Sequence, residues 1–395
     1  MKVPSLRLTC FALVFAILLS GGLQVPVAAA HRIQDTGQQP LAHAPASKMA
    51  NPSPLTQAAG QVEFSRNTAE LNFPNNLTFS LAAKADEKIE SVALEYGTNA
   101  ASCVRSVARQ PVEIEPGTDI KAEWVWDFKD SGSLPMGAQV WWEWEAKLAS
   151  GEVARSPRQT QTIVDQHFSW KETGSDPAEI TSINIWYHDT KESFAKDLAT
   201  IGQKALQRMQ TEFSVTPATQ VQFILYNNST EVFESGLFFS EWIGGYAVPV
   251  YNLVIIGVEV DNYDWGKSVI THELGHLISG ELTANCLAVS MPTWLSEGFA
   301  MYAEGGVAPS EQDKVKKALT AGTLPPLRTL AAGFAANDAD ARLSYAQSGM
   351  VVDFMVKEYG ADKLPQLFAT IQAGTLAEDG LRQVYNLEVD ALDNA

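Results

Sequence analysis

The segment Thr-His-Glu-Leu-Gly-His, residues 271–276, contains the side chains in this sequence best suited to chemistry. His272 and His276 are four residues apart, so on a helix both imidazoles lie on one face and can reach a single metal ion. Glu273 lies about 100° further round such a helix, where its carboxylate can face a metal-bound water without being a ligand. Apolar flanking residues predict a mostly buried helix over about Trp265–Ser279. Because buried imidazoles and a buried carboxylate are costly without a compensating partner, the pattern indicates a zinc site.

A third protein ligand must come from the acidic or thiol side chains downstream, because catalytic zinc has three protein ligands and one open position. The candidates are Glu281, Cys286, Glu297 and Glu304. Glu281 points off the histidine face if the helix continues. Cys286 lies in a predicted loop, where a lone cysteine also fits as a small apolar residue. Glu297 is the best candidate, because a Pro-Thr pair before it marks a helix start and apolar neighbours hold it near a core.

The two motifs together resemble those of the gluzincin metallopeptidases, the thermolysin-like and aminopeptidase-N-like group often called peptidase MA-like. The motif HELGH is followed, after 20 intervening residues, by the glutamate of WLSEGFA, and the similarity covers roughly residues 180–390. The resemblance implies that His272, His276 and Glu297 bind Zn²⁺ and that Glu273 is the catalytic base. It also implies an α+β catalytic domain in which a later helical lobe closes the cleft.

The sequence departs from the thermolysin pattern at Met301. This residue stands four positions after Glu297, where an aspartate would orient a histidine ligand. Side chains of this kind fix the ring orientation of metal ligands, so the orienting group here is not identified.

Peptide hydrolysis also needs a hydrogen-bond donor opposite the metal to hold the developing oxyanion. The candidates are His188, Tyr302 and Tyr345. Tyr345 is preferred, since it begins a predicted helix, Tyr345–Tyr359, in the lobe expected to face the cleft. Gluzincins often place a tyrosine from the later helices near zinc, which adds to this choice. The alternative is a tyrosine that packs under the helix start.

These features favour a zinc-dependent peptidase that hydrolyses peptide bonds with a zinc-activated water and Glu273 as general base. Its partner is then a peptide or protein substrate. One alternative is a catalytically inactive zinc-domain protein that acts as a cell-surface, carbohydrate-binding or protein-binding module. Another is a zinc hydrolase that acts on a different bond. The intact Glu273 argues against the inactive protein.

Composition and charge exclude some classes of partner. The chain has 395 residues, of which 46% are hydrophobic and 19% charged, as in ordinary globular proteins, and two to three domains are expected. The net charge of -18 disfavours nucleic acid and anionic lipid surfaces. The sequence does not indicate an oligomeric state.

The residue pattern at the N-terminus predicts that the protein is exported. Residues 1–30 read as a signal peptide, with a basic start, a short apolar run and small residues for cleavage, so we expect a secreted or extracytoplasmic protein. No later segment is expected to span a membrane. Residues 31–60, rich in Pro, Ala, Gln and Ser, read as a disordered linker. The two remaining cysteines, Cys103 and Cys286, fall in different predicted domains, so the sequence does not indicate a disulfide framework and leaves their redox state open.

The rest of the chain is predicted to form two domains. Alternating apolar residues separated by turn signals predict an all-β sandwich of immunoglobulin or fibronectin type over residues 61–168. Its tryptophans are expected in the core and at a domain interface rather than on a ligand-binding platform. Residues 169–395 are predicted to form the gluzincin-like metallopeptidase domain. Within it, Gly244–Ala247 is the candidate edge strand for pairing with a peptide backbone, although its glycines also fit a plain turn.

Overall fold

A computed structural model of the chain describes residues 62–103, 107–131, 133–174, 182–213, 220–237, 244–335 and 337–395. These residues lie in one compact unit, Thr56–Ala395. The predicted signal peptide and linker lie outside the described residues. Within the described residues, no helix combines the length and the apolar character that a membrane crossing requires.

The N-terminal region is an antiparallel sheet built around one long strand. Within the described residues its strands are β1 (Val62–Asn72), β2 (Asn76–Thr98), β3 (Ala108–Val112), β4 (Gly117–Asp127), β5 (Gln139–Leu148), β6 (Val153–Arg155) and β7 (Gln159–Thr162). The first part of β2 pairs with β1 and β4, and the second part pairs with β3 and β5. A short helix, α1 (Phe128–Ser131), follows β4.

The inward-facing side chains of these strands form one apolar core. Burial alternates along β5, and Phe79 of β2 and Trp142 of β5 are among the large rings that fill this core. The rings of Phe79 and Trp142 meet edge to face at 5.5 Å. The prediction of a strand-rich N-terminal region is therefore confirmed.

A second, mixed sheet follows. Its strands are β8 (Lys171–Gly174), β9 (Ile183–Tyr187), β10 (Val221–Tyr226), β11 (Gly245–Val248) and β12 (Leu253–Gly257). Their order is β11-β12-β10-β9-β8, with β9, β10 and β12 parallel and both edge strands antiparallel to their neighbours. The predicted edge strand at residues 244–247 thus corresponds to β11.

Helices make up most of the C-terminal region. They are α2 (Glu192–Phe213), α3 (Ser229–Glu234), α4 (Tyr263–Thr283), α5 (Thr293–Ala303), α6 (Pro309–Ala321), α7 (Asp338–Tyr359), α8 (Lys363–Gln372), α9 (Ala377–Tyr385) and α10 (Val389–Asn394). The prediction that Tyr345 begins a helix is wrong. Helix α7 begins seven residues earlier, where the side chain of Asn337 accepts a hydrogen bond from the backbone N–H of Asp340 at 3.0 Å.

The second sheet separates two hydrophobic cores. Because side chains alternate along a strand, Val254 and Ile256 of β12 face helices α2 and α4, whereas Leu253 and Ile255 face the N-terminal sheet. Leu253 and Ile255 pack into the same core as Phe79 and Trp142. The two sheets therefore share one core across the predicted domain boundary at residues 168 and 169.

A disulfide joins the N-terminal sheet to the loop after α4. Cys103 and Cys286 are bonded, with their Cα atoms 5.5 Å apart, and they stand 183 positions apart in sequence. The sequence left the redox state of these cysteines open, and they are paired because the loop after β2 packs on the second sheet. In that loop the N–H of Ala101 donates to the carbonyl of Val250 at 2.7 Å.

Removal of this crosslink should destabilise the protein without affecting metal binding. We expect Cys286→Ser to lower the free energy of unfolding by about 2–5 kcal/mol, since a long loop gains freedom in the unfolded chain. Urea unfolding and zinc content of the purified variant measure the two effects. The double variant Cys103→Ser/Cys286→Ser should be no less stable than either single variant. Full loss of zinc from Cys286→Ser would show that the cysteine is a ligand after all.

Candidate metal centre

Helix α5 lies between α4 and α7, and a glycine stands at each crossing. A Cβ atom on Gly275 of α4 would lie 2.8 Å from the Cα of Ala300, and one on Gly298 of α5 would lie 2.5 Å from the carbonyl oxygen of Ser348. Neither site has room for a side chain, so the two glycines allow the three helix backbones to approach closely. This packing carries the acidic face of α5 over the histidine face of α4.

Three side chains from α4 and α5 converge at this crossing. The Nε2 atoms of His272 and His276 lie 3.2 Å apart. Oε2 of Glu297 lies 3.3 Å from the first nitrogen and 3.2 Å from the second. The two histidines and Glu297 are the one group of three His, Cys, Asp or Glu side chains in the described region whose ligand atoms lie within 4.8 Å of one another.

The geometry of this triangle fits zinc. Four ligands placed tetrahedrally at the usual zinc bond lengths are separated by about 3.4 Å, close to the three distances observed. Oε2 of Glu297 is also buried without a well-formed hydrogen bond in the described part of the chain. A buried carboxylate oxygen without a partner is costly, and a metal ion at the centre of the triangle would supply the partner.

A second layer of hydrogen bonds orients the two imidazoles. Nδ1 of His272 lies 2.6 Å from Oε1 of Glu304, which accepts a hydrogen bond from it. Nδ1 of His276 lies 3.1 Å from the hydroxyl of Ser296. With a proton on Nδ1, the lone pair of each Nε2 points into the triangle. Glu304 and Ser296 therefore hold the histidines in the tautomer that binds a metal ion.

The C-terminal end of α5, which carries Glu304, is held by helix α2. Arg208 donates hydrogen bonds to the carbonyl oxygens of Ala303 and Tyr302, the last residues before Glu304. The hydroxyl of Tyr302 in turn donates to Glu212. A cation at this end also complements the helix dipole, so α2 fixes the part of α5 from which Glu304 reaches His272.

The charges in the triangle shift the pKa of its members in opposite directions. Burial would lower the pKa of His272, but the neighbouring carboxylates of Glu297 and Glu304 outweigh burial and raise it. Burial would raise the pKa of Glu297, but the two imidazoles outweigh burial and lower it. Because an imidazole ligand must be neutral, a metal ion that enters the triangle displaces a proton.

Glu273 lies next to the triangle and outside it. Its side chain is buried, and burial raises the pKa of its carboxyl, with the neighbouring imidazoles acting in the opposite sense. A carboxylate with a raised pKa is well suited to take up and release a proton near neutral pH. Its place on α4 agrees with the position round the helix expected from the sequence.

Tyr345 reaches the site from α7. Its ring meets that of His272 at a centroid distance of 6.2 Å, and the ring of Phe334 meets it edge to face at 4.9 Å. Burial raises the pKa of the Tyr345 phenol, and the carboxylates of Glu297 and Glu273 raise it further. The phenol therefore stays protonated near neutral pH.

A comparison with protein-family models finds a match in the C-terminal part of the chain. Residues 201–395 match the Peptidase MA superfamily. This match confirms the resemblance to the gluzincin, or peptidase MA-like, group. No curated protein sequence matches the chain.

Solved structures similar to the chain include M1 zinc metallopeptidases. A mutant of such an enzyme from Deinococcus radiodurans, bound to a Tyr-Ser-Ala substrate, is 11% identical with a TM-score of 0.41, over 82% of this chain and 89% of that one. Aminopeptidase A from Legionella pneumophila, bound to aspartic acid, is 10% identical with a TM-score of 0.39, over 83% of this chain and 49% of that one. At these values the likeness assigns no role to individual residues here.

The other candidates from the sequence do not take part in the triangle of His272, His276 and Glu297. Glu281 is not part of the triangle, and Cys286 is bonded to Cys103. His188 is fully buried against the ring of Phe168, at a centroid distance of 3.9 Å, with Glu231 3.1 Å from its Nε2.

Sequence reasoning missed the orienting role of Glu304. The family pattern places the orienting carboxylate four residues after Glu297. Met301 stands there and packs in a small apolar cluster with Val307 and Ala346. Glu304 lies seven residues after Glu297, two helical turns later on the same face of α5. That spacing was the signal available in the sequence.

Loss of Glu304 should weaken zinc binding without abolishing it. We expect Glu304→Ala to reduce zinc affinity by about 10–100-fold, because the ring of His272 loses its orienting partner. Competition with a zinc chelator measures the change. Glu281→Ala is the matched control, since it removes a carboxylate of the same domain that lies outside the triangle. Equal affinity in Glu304→Ala and wild type would contradict the role of this hydrogen bond.

Proposed function

We propose that this chain is an exported zinc metallopeptidase. The observation that carries the proposal is the triangle of His272, His276 and Glu297 with the buried carboxylate of Glu273 beside it. Two histidines and one glutamate leave one position of a tetrahedral zinc ion open, as a catalytic site requires. The Peptidase MA match over residues 201–395 supports the same reaction class.

The residues of the chain divide the chemistry between them. Bound zinc would act as a Lewis acid that activates water and polarises the substrate carbonyl. Glu273 takes a proton from the attacking water and then gives it to the leaving amine. Burial of Glu273 keeps its carboxylate away from bulk solvent, so the proton returns to the substrate rather than escaping.

Tyr345 supplies the oxyanion donor in this proposal. Negative charge develops on the carbonyl oxygen as water attacks, and a phenolic O–H aimed at that oxygen stabilises it. The ring contact between Tyr345 and His272 supports this role, since it holds the phenol beside the metal ligands. The edge-to-face contact with Phe334 also restrains the ring.

We also propose that a peptide substrate adds to the edge of the second sheet at β11. An edge strand offers backbone N–H and C=O groups that can pair with an extended peptide. The antiparallel pairing of β11 with β12 leaves its other side as that edge among the described strands. Gly245 lies close to α4, since a Cβ there would meet Cγ2 of Val269 at 3.2 Å, so β11 runs beside the metal helix.

Export is supported by the disulfide between Cys103 and Cys286, because such bonds persist in oxidising compartments. The assignment of the N-terminal sheet to the immunoglobulin or fibronectin type is likewise a proposal. Its support is the antiparallel pairing of β1 to β7 around a core of alternating inward residues.

The variant Glu273→Gln tests the mechanism. The amide has almost the same shape as the carboxylate but cannot accept the proton of water, so hydrolysis should be lost while zinc remains bound. Mass spectrometry of a peptide mixture incubated with the zinc-loaded protein measures hydrolysis, and metal analysis measures zinc. Glu281→Gln, which makes the same change on α4 outside the triangle, should leave hydrolysis unchanged.

Full activity in Glu273→Gln would rule out its role as the base. A wild-type protein that binds zinc but cleaves no peptide in the mixture would favour the inactive, binding-module alternative.

The variant Tyr345→Phe tests the oxyanion donor. We expect kcat to fall by roughly 100-fold with zinc affinity and KM nearly unchanged, because the lost hydrogen bond forms mainly in the transition state. Steady-state kinetics on a cleaved peptide measure this. Tyr359→Phe, a hydroxyl deletion at the other end of α7, serves as the control. A kcat within a few-fold of wild type would make Tyr345 a packing residue.

A further inference from the structure

The face of α4 that carries the zinc ligands continues beyond them towards the start of the helix. Partly exposed side chains recur at helical spacing at Trp265, Ser268, His272 and His276, whereas the residues between them are mostly buried. These four residues, called here the open stripe, lie on one face of α4. Its end at Trp265 has no role in the mechanism proposed above.

Trp265 is both exposed and fixed in position. The side chain is 43% accessible, while its indole Nε1 donates to the carbonyl of Gly257 at 3.3 Å. The ring also rests on Gly244, where a Cβ atom would lie 2.7 Å from Cζ2. An apolar ring that is held rigidly at the surface loses little conformational freedom when it binds a ligand.

Its location connects the two parts of the proposed substrate path. Gly244 immediately precedes β11, the edge strand, and Gly245 contacts Val269 on the flank of the open stripe. A peptide that pairs with β11 therefore lies along the open stripe, with the metal ligands at one end and Trp265 at the other.

The helix rise sets how far along a peptide Trp265 can act. Trp265 lies seven residues before His272 and eleven before His276, which is about 10–16 Å along the axis. An extended peptide advances about 3.3 Å per residue, so this distance spans roughly three to five residues.

We propose that Trp265 is a specificity-determining residue, which binds a large apolar side chain of an extended peptide about three to five residues from the cleaved bond. The inference rests on the proposed peptidase function and adds a substrate class to it. The contact of Trp265 with Gly244 places the indole beside the start of β11. Every second side chain of an extended peptide paired with β11 would point towards α4, where it could meet the indole.

The test uses short peptides in which one Phe is moved along an otherwise small and uncharged sequence. Wild type should cleave best when Phe lies about three to five residues from the cut bond, on one side of it. Trp265→Ala should lower kcat/KM for that peptide by about 10–100-fold, mainly through KM, and change little for the Phe-free peptide. Trp265→Phe should retain most of the preference. Tyr263→Ala is the control for a general loss of exposed aromatic surface.

Binding to the Glu273→Gln protein separates this inference from the peptidase function. Labelled peptides with and without Phe are titrated into Glu273→Gln and into the Glu273→Gln/Trp265→Ala double variant. Phe-dependent binding that requires Trp265 supports the inference even if wild type cleaves nothing, a result that would refute the peptidase proposal alone. Equal binding with and without Phe, no binding, or a preference that survives Trp265→Ala overturns the inference.

Discussion

The convergence of two imidazole nitrogens and one carboxylate oxygen on a common point is the constraint around which the C-terminal region is arranged. Atoms with lone pairs do not sit 3.2–3.3 Å apart in a buried place without a proton or a cation between them. The surrounding helices therefore have to hold the three groups in position. The glycines at the crossings of α4, α5 and α7 and the contact of Arg208 with α5 perform that task.

Glu273, Glu297 and Glu304 lie in the same region but differ in position and therefore in role. Glu297 and Glu304 lie on one face of α5, yet one enters the triangle and the other contacts the far nitrogen of His272. Glu273 is excluded from the triangle because it lies on the next position round α4. Three carboxylates of the same chemical type thus differ in what they touch, and their roles follow from those contacts.

Local sequence patterns predicted the parts of the site that local geometry determines. The two histidines, Glu273 and the helix that carries them follow from i,i+4 spacing and apolar flanks, and β9 and β10 follow from short apolar runs. Glu297 was found because a helix start and a core-facing pattern enclose it. Features that depend on packing between distant segments were missed. The Cys103–Cys286 bond needs two sheets to share a core, and the start of α7 depends on an Asn cap within a polar stretch.

The shared core also constrains how the chain is made. Synthesis proceeds from the N-terminus, so β1 to β7 emerge well before β10 and β12, whose residues Ile224, Leu253 and Ile255 complete their apolar face. The disulfide of Cys103 cannot form until Cys286 has been synthesised. The N-terminal sheet therefore reaches its final packing only late in biosynthesis, and until then its uncovered apolar face is open to self-association or chaperone binding.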